Sequence, residues 1–348
     1  MHQRRPDSWT PPRSAPRRSS PDSFGVRASQ LTGAVLNGRY KLHGYLRRGV
    51  SSRVYLAEDV QSGGSVVVKL LSPSAAADAS RRTRIRIARQ SLVPIVHPNL
   101  VDVLGVDETK AEVPYLVMEA LAGEALDETL RREGTLPLDL ALVVARQTAA
   151  GLLALHQGGV VHGDLRPENL MLLGAPSEPY GIKIMNYGIA RDFREGPPDA
   201  FDPLRAAYLA PEQLLDDRAQ VESDVYALGV LLLELLCGRL PFQEPNQSEC
   251  VRRKLASQPL DASWLDLALD ARLEAIVVNA TRKNPRNRYR SARAVLDALD
   301  AIVGLSSEAV ELLPLAQTPD AYEPSTTKGK QRFAELMRPE AENSARAP

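Results

Sequence analysis

Cysteine is nearly absent: Cys237 and Cys250 are the only two in 348 residues, and they form no CxxC pair. That excludes a disulfide framework and a cysteine-built structural zinc site, and it fits a reducing compartment. Net charge is absent too, because Lys plus Arg and Asp plus Glu both number 43. A chain without excess positive charge lacks the field that gathers phosphates, so no nucleic-acid partner is expected. Long apolar runs are missing. The longest, Leu228 to Cys237, already contains Glu234 and reads as a buried helix, far short of the about 20 apolar residues of a membrane span. The first residues lack the apolar stretch of a signal peptide. No fixed-period repeat occurs, which excludes solenoids and propellers. These absences predict a soluble, cytoplasmic protein with no membrane span.

What is present suffices for a sizeable core: 44% of residues are hydrophobic and 25% charged. At roughly 100–200 residues per domain the length suits one two-lobed unit or two small domains. Residues 1–35 are rich in Arg, Pro and Ser and read as a disordered leader. Ser19 and Ser20 behind Arg17-Arg18 allow a docking or phosphorylation segment; a plain solvated leader is the alternative. Strand patterns follow at Tyr40–Leu46, Ser52–Asp59, Ser65–Leu71, Leu100–Val106 and Tyr115–Glu119, with a helical stretch over Asp78–Leu92. After Gly123 the texture turns helical, over Asp139–His156 and from Ser223 to Ile302. The expected fold is α+β and two-lobed, with a small antiparallel-sheet N-lobe (36–119) and a larger helical C-lobe (123–304). Residues 305–348 read as a disordered tail, in which Lys330–Met337 is the one segment suited to folding on a partner.

The run His162-Gly163-Asp164-Leu165-Arg166-Pro167-Glu168-Asn169 resembles the HRDLKPEN catalytic loop of Ser/Thr protein kinases. Further matches follow in register. Val67-Val68-Lys69 resembles the VAIK strand and His97-Pro98-Asn99-Leu100-Val101 the HPNIV after the regulatory helix. Tyr115 to Gly123 resembles the hinge, with Met118 as gatekeeper, and Ala210-Pro211-Glu212 the APE motif. Ser223 to Gly229 resembles the buried large-lobe helix, and Asn284 to Tyr289 the terminal-helix signature. Together these span about residues 36–304 and are similar to bacterial members, with a protein-kinase-like fold as the implication.

The resemblance implies ATP as the nucleotide and assigns roles. Asp164 takes the base position, Arg166 the cation that meets the γ-phosphate, and Lys69 the phosphate-gripping lysine. Gly49, Val54, Val67, Met118, Glu119, Leu121 and Met171 surround the nucleotide. Asn169 and Asn186 take the metal positions, while His162, Glu212, Asp224 and Arg288 hold the architecture.

Several positions depart from the family. Asn186 stands where DFG has its aspartate, so one anionic metal ligand is lost and Mg²⁺ should bind weakly or not at all. No acidic residue lies between Asp78 and Asp102, and Ala88 falls where the regulatory helix carries its glutamate. Instead, Arg81, Arg82, Arg84, Arg86 and Arg89 crowd this segment. The glycine-rich loop keeps only Gly49, with Arg47 and Ser52 at the other two places. Arg205 replaces the threonine that helps fix the base, and residues 186–212 contain no Ser or Thr. Gly163 replaces the arginine that would read a phosphate on that loop.

Residues that maintain architecture persist, whereas many that grip metal, phosphate and substrate have changed. Three functions follow as expectations. The first is a pseudokinase acting as a regulatory binding module or scaffold through protein partners, either signalling proteins or an active kinase. In it, Arg205 and the arginine-rich helix would offer an anionic-peptide surface. The second is an atypical active Ser/Thr kinase, since Lys69, Asp164 and Asn169 remain. The third is another nucleotide chemistry, such as nucleotidyl transfer.

Overall fold

The computed structural model describes residues 31–48, 52–174, 181–188, 202–216, 218–256 and 271–303, with 326–327, 330–331 and 334. Gly49, the leader up to residue 30 and most of the tail lie outside them.

The small lobe opens with β1 (Val35–Leu36), β2 (Tyr40–Arg48), β3 (Ser52–Asp59) and β4 (Gly64–Leu71). Next come α1 (Pro73–Ala76), α2 (Ala79–Leu92), β5 (Val103–Glu108) and β6 (Pro114–Glu119). The strands make one six-stranded antiparallel sheet in the order β1-β2-β3-β4-β6-β5. Alternation along β-branched strands decides its two faces. Val54 lies opposite Lys69, and Val67 opposite both Leu56 and Met118. Opposed residues share a face, so Val54, Val67, Lys69 and Met118 line one side. The other side carries Tyr55, Ala57, Val66, Val68, Tyr115 and Val117 in a separate small core. Leu31 and Leu36 pack on that core and Val35 pairs with Lys41. Residues 31–35, assigned to the leader by composition, are therefore part of the small lobe.

The large lobe contains β7 (Gly123–Ala125), α3 (Leu126–Glu133), α4 (Leu138–Gln157), β8 (Leu170–Leu173) and β9 (Gly181–Ile184). Among the described residues it also contains the α-helices α5 (Pro203–Tyr208), α6 (Pro211–Leu215), α7 (Val221–Cys237), α8 (Gln247–Ala256), α9 (Ala271–Ala280) and α10 (Ala292–Val303). Strands β7, β8 and β9 form a small antiparallel sheet. Helix α7 is apolar nearly all round and buried along most of its length, the pattern of a central helix. It ends at Gly238, whose φ of +66° is left-handed and whose N–H closes on Glu234 O.

Helix α4, with 20 residues, is longer than the Leu228–Cys237 run, but its apolar sequence is broken by Asp139 and Arg146. Its length and composition alone would let it cross a bilayer, but it packs against α7 and α10. Ala141, Val144, Ala145, Ala149 and Leu152 are fully buried there. One continuous core runs from Ile85 and Leu92 of α2, through Leu116 and Met118, to Leu170, Tyr187 and α7, so the lobes share it. Among the described residues of the tail, Thr326 Oγ1 donates to Asp216 Oδ1 of the large lobe at 2.6 Å.

Candidate active site

Residues 162–169 link α4 to β8, and a buried carboxylate holds them. Asp224, in the first turn of α7, is 1% exposed. It accepts the backbone N–H groups of His162 and Gly163, both at 2.8 Å, and meets His156 Nε2 at 2.8 Å. These donors offset the cost of burying its charge. Burial lowers the pKa of His162, which favours the neutral ring. Its Nε2 then donates to Met185 O at 3.1 Å, while Nδ1 accepts the Asp164 N–H at 3.2 Å. Gly163 has φ +72°, and a Cβ there would sit 3.1 Å from Ala219 Cβ. The glycine thus has a backbone reason beside the loss of a phosphate-reading arginine. Gln213, missed in the sequence reading, donates to Gly163 O at 2.8 Å; an APE-adjacent glutamine carries no signal that would have singled it out.

Above this floor, the two expected metal positions meet. Lys69 Nζ donates to Asn186 Oδ1 at 2.9 Å. An ammonium has only donors, so Lys69 fixes which way the Asn186 amide faces. Its Nδ2 turns to Asn169 and donates to Oδ1 at 2.9 Å. Asn169 Nδ2 in turn donates to Asp164 O at 2.7 Å. Asn186 adopts φ +62°, a conformation asparagine tolerates. Both amide oxygens therefore already accept an N–H, and neither carries charge. An N–H also points at the oxygen a cation would need. Mg²⁺ takes carboxylates and phosphates and sheds water reluctantly, so this donor set does not fit it. Burial, and then the charge of Arg47, lowers the pKa of Lys69 to about 8, with Asp164 acting the other way. Helix α2 supplies no carboxylate, because Ala79–Leu92 contains none.

The base position is 9% exposed. Arg205 Nε from α5 donates to Asp164 Oδ1 at 2.6 Å, so this guanidinium is directed inward rather than presented as the expected open anion surface. Arg166 lies 3.2 Å from Glu168 Oε2 and 3.4 Å from Asp202 Oδ2. Around the expected nucleotide, Val54, Val67 and Met118 share the sheet face described above. Met171 sits on β8 opposite Ala125 and Lys183, and Leu121 packs on the main core between β6 and β7. The carboxylate of Glu119 accepts from Asp102 N–H at 2.8 Å and from Lys183 Nζ. Tyr187, one residue beyond Asn186, is buried, and its hydroxyl donates to Val101 O at 2.5 Å. Glu212 and Arg288 form a separate structural pair, bidentate at 2.7 and 2.9 Å, with Ser223 Oγ adding a third donor at 2.7 Å.

The sequence profile of the protein kinase domain matches residues 40–299. The chain belongs to the protein kinase family. Its kinase relatives include serine/threonine-protein kinase PknB of Mycobacterium leprae, 33% identical over 263 residues, covering 74% of this chain and 42% of the relative. Serine/threonine-protein kinase PksC of Streptomyces coelicolor is 31% identical over 297 residues, covering 82% and 53%. The chain thus spans about half or less of the length of these kinases. Among solved structures, the Mycobacterium tuberculosis PknI kinase domain superposes with a TM-score of 0.62 at 25% identity, covering 78% of this chain and 98% of that one. The α+β two-lobed kinase fold and the bacterial Ser/Thr kinase family are thereby shown.

Proposed function

We propose that this member of the Ser/Thr kinase family is a pseudokinase: a regulatory binding module or scaffold that acts through protein partners in the cytoplasm. Its cleft holds ATP weakly and without Mg²⁺, or not at all. The observation that carries this reading is the bonded chain Lys69–Asn186–Asn169, in which the groups meant for phosphate and metal satisfy one another. Phosphoryl transfer by this fold is mostly positioning and charge neutralisation, and a cleft without a fitting metal site lacks the second. The apolar residues Val54, Val67, Met118 and Met171 still suit a purine ring.

A second reading, an atypical active kinase, is favoured by a specific set of facts. Lys69, Asp164 and Asn169 keep their positions, the catalytic loop is fully held by Asp224, and the relatives are named as kinases. The test is transfer of labelled phosphate from ATP to a Ser/Thr-containing protein, with Asp164→Asn as the control. The pseudokinase reading expects no difference between wild type and control. Transfer that vanishes in Asp164→Asn would establish the second reading instead.

A further inference from the structure

One short segment engages both charged side chains of the catalytic loop that a substrate would meet, Asp164 and Arg166. Asp202 and α5 cross-pair with them: Arg205 Nε sits 2.6 Å from Asp164 Oδ1, and Asp202 Oδ2 sits 3.4 Å from Arg166 Nη1. The side chains of Asp164 and Arg205 are only 10% and 20% exposed, so solvent screens this pair little. The segment is itself firmly seated. Asp202 Oδ1 caps α5 by accepting the Leu204 and Arg205 N–H groups at 3.1 and 3.3 Å. At the other end, Lys254 Nζ donates to Ala207 O at 2.8 Å, and the buried Tyr208 hydroxyl donates to Glu234 of α7.

A protein substrate would offer this loop a hydroxyl donor for Asp164 and, once phosphate moves, an anionic oxygen near Arg166. Arg205 supplies the donor and Asp202 the anion. A charged guanidinium makes a stronger bond to a carboxylate than a neutral hydroxyl does, so a serine cannot displace it on equal terms. We propose that residues 202–208 are a built-in pseudosubstrate whose crossed charge pairs shut the base position until the segment moves. This deepens the pseudokinase reading by giving the same site a second, separable block: Asn186 removes the metal, and Arg205 occupies the base.

The experiment compares Arg205→Thr and Asp202→Asn with wild type, each also in an Asn186→Asp background. Asparagine caps a helix about as well as aspartate, so Asp202→Asn removes charge while keeping the turn. Melting curves and amide hydrogen exchange over 203–208 verify that each variant is folded. The readout is labelled phosphate transfer from ATP with Mg²⁺ to a Ser/Thr-containing protein. The Arg205→Thr/Asn186→Asp protein is expected to transfer at least about tenfold faster than Asn186→Asp alone, a part of the about 10²–10⁴-fold that a positioned base contributes. Asp202→Asn is expected to raise transfer in the same direction. Rates in the double variants no higher than in Asn186→Asp, including no transfer in any of them, would overturn the pseudosubstrate. Transfer by wild type that Arg205→Thr raises would overturn the pseudokinase reading and leave the pseudosubstrate standing.

Discussion

Asparagine at 186 removes a charge and adds a donor, and the added donor matters as much as the lost charge. An aspartate there would present two acceptor oxygens, and Asn169 Oδ1 would then face a carboxylate across a gap suited to a cation. Asn186→Asp is therefore expected to make ATP binding depend on Mg²⁺, tightening it by about tenfold, or about 1.4 kcal/mol, in calorimetric titrations with and without the metal. The lost charge was legible from one letter of sequence. The bond between the two amides was not, because it depends on Lys69 crossing 117 positions of sequence to orient Asn186. Arg205 shows the same limit. Its place beside the base was legible from the family pattern, but the sequence suggested an open anionic-peptide surface, whereas α5 turns the guanidinium inward onto Asp164. At Glu212 the sequence and the structure agree: the Arg288 guanidinium has a 0% exposed side chain and is held bidentately. Glu212→Gln would strand that buried cation, and a loss of about 3–5 kcal/mol in chemical denaturation is expected.

Among elements, strands and helices followed from periodicity with small shifts at their ends. β5 begins at Val103 rather than Leu100, because Leu100 instead bridges Ile184 in the large lobe. Helix α7 stops where Gly238 turns left-handed, and a Cβ there would lie 2.9 Å from Gly134 O. Gly238→Ala should cost at least about 1–2 kcal/mol, read as a lower melting temperature. The seat of α5 has its own pH signature. Burial lowers the pKa of Lys254 from 10.5 to about 7 and raises that of Glu234 from 4.5 to about 7. Between pH 7 and 10.5 the native state holds fewer protons at Lys254 than the unfolded chain, so stability rises with pH there. Between pH 4.5 and 7 the native state holds more at Glu234, so stability falls as pH climbs. The contributions meet in a dip near pH 7, each with a slope of up to about 1.4 kcal/mol per pH unit. Melting temperatures across pH should lose the alkaline rise in Lys254→Met and the acid-side fall in Glu234→Gln.

At the scale of the whole molecule, the two lobes share one core, and in the cleft between them Lys69, Asn186 and Asn169 are bonded to one another. The architecture was legible because both members of each supporting pair, Asp224 with the catalytic loop and Glu212 with Arg288, sit in segments that resemble family motifs, although they lie far apart in sequence. The bonds that join Asn186 to Lys69 and Asn169 were not, because the sequence marks Asn186 as a departure from the family but not which groups the fold brings against it. A cleft that does not use Mg²⁺ binds ATP alike with and without the metal, and calorimetric titration of the full chain with ATP under both conditions reads this. The expected result is either no heat in both titrations or affinities that agree within about threefold, under roughly 0.7 kcal/mol. ATP binding that Mg²⁺ tightens by about tenfold or more in the wild-type protein would contradict it.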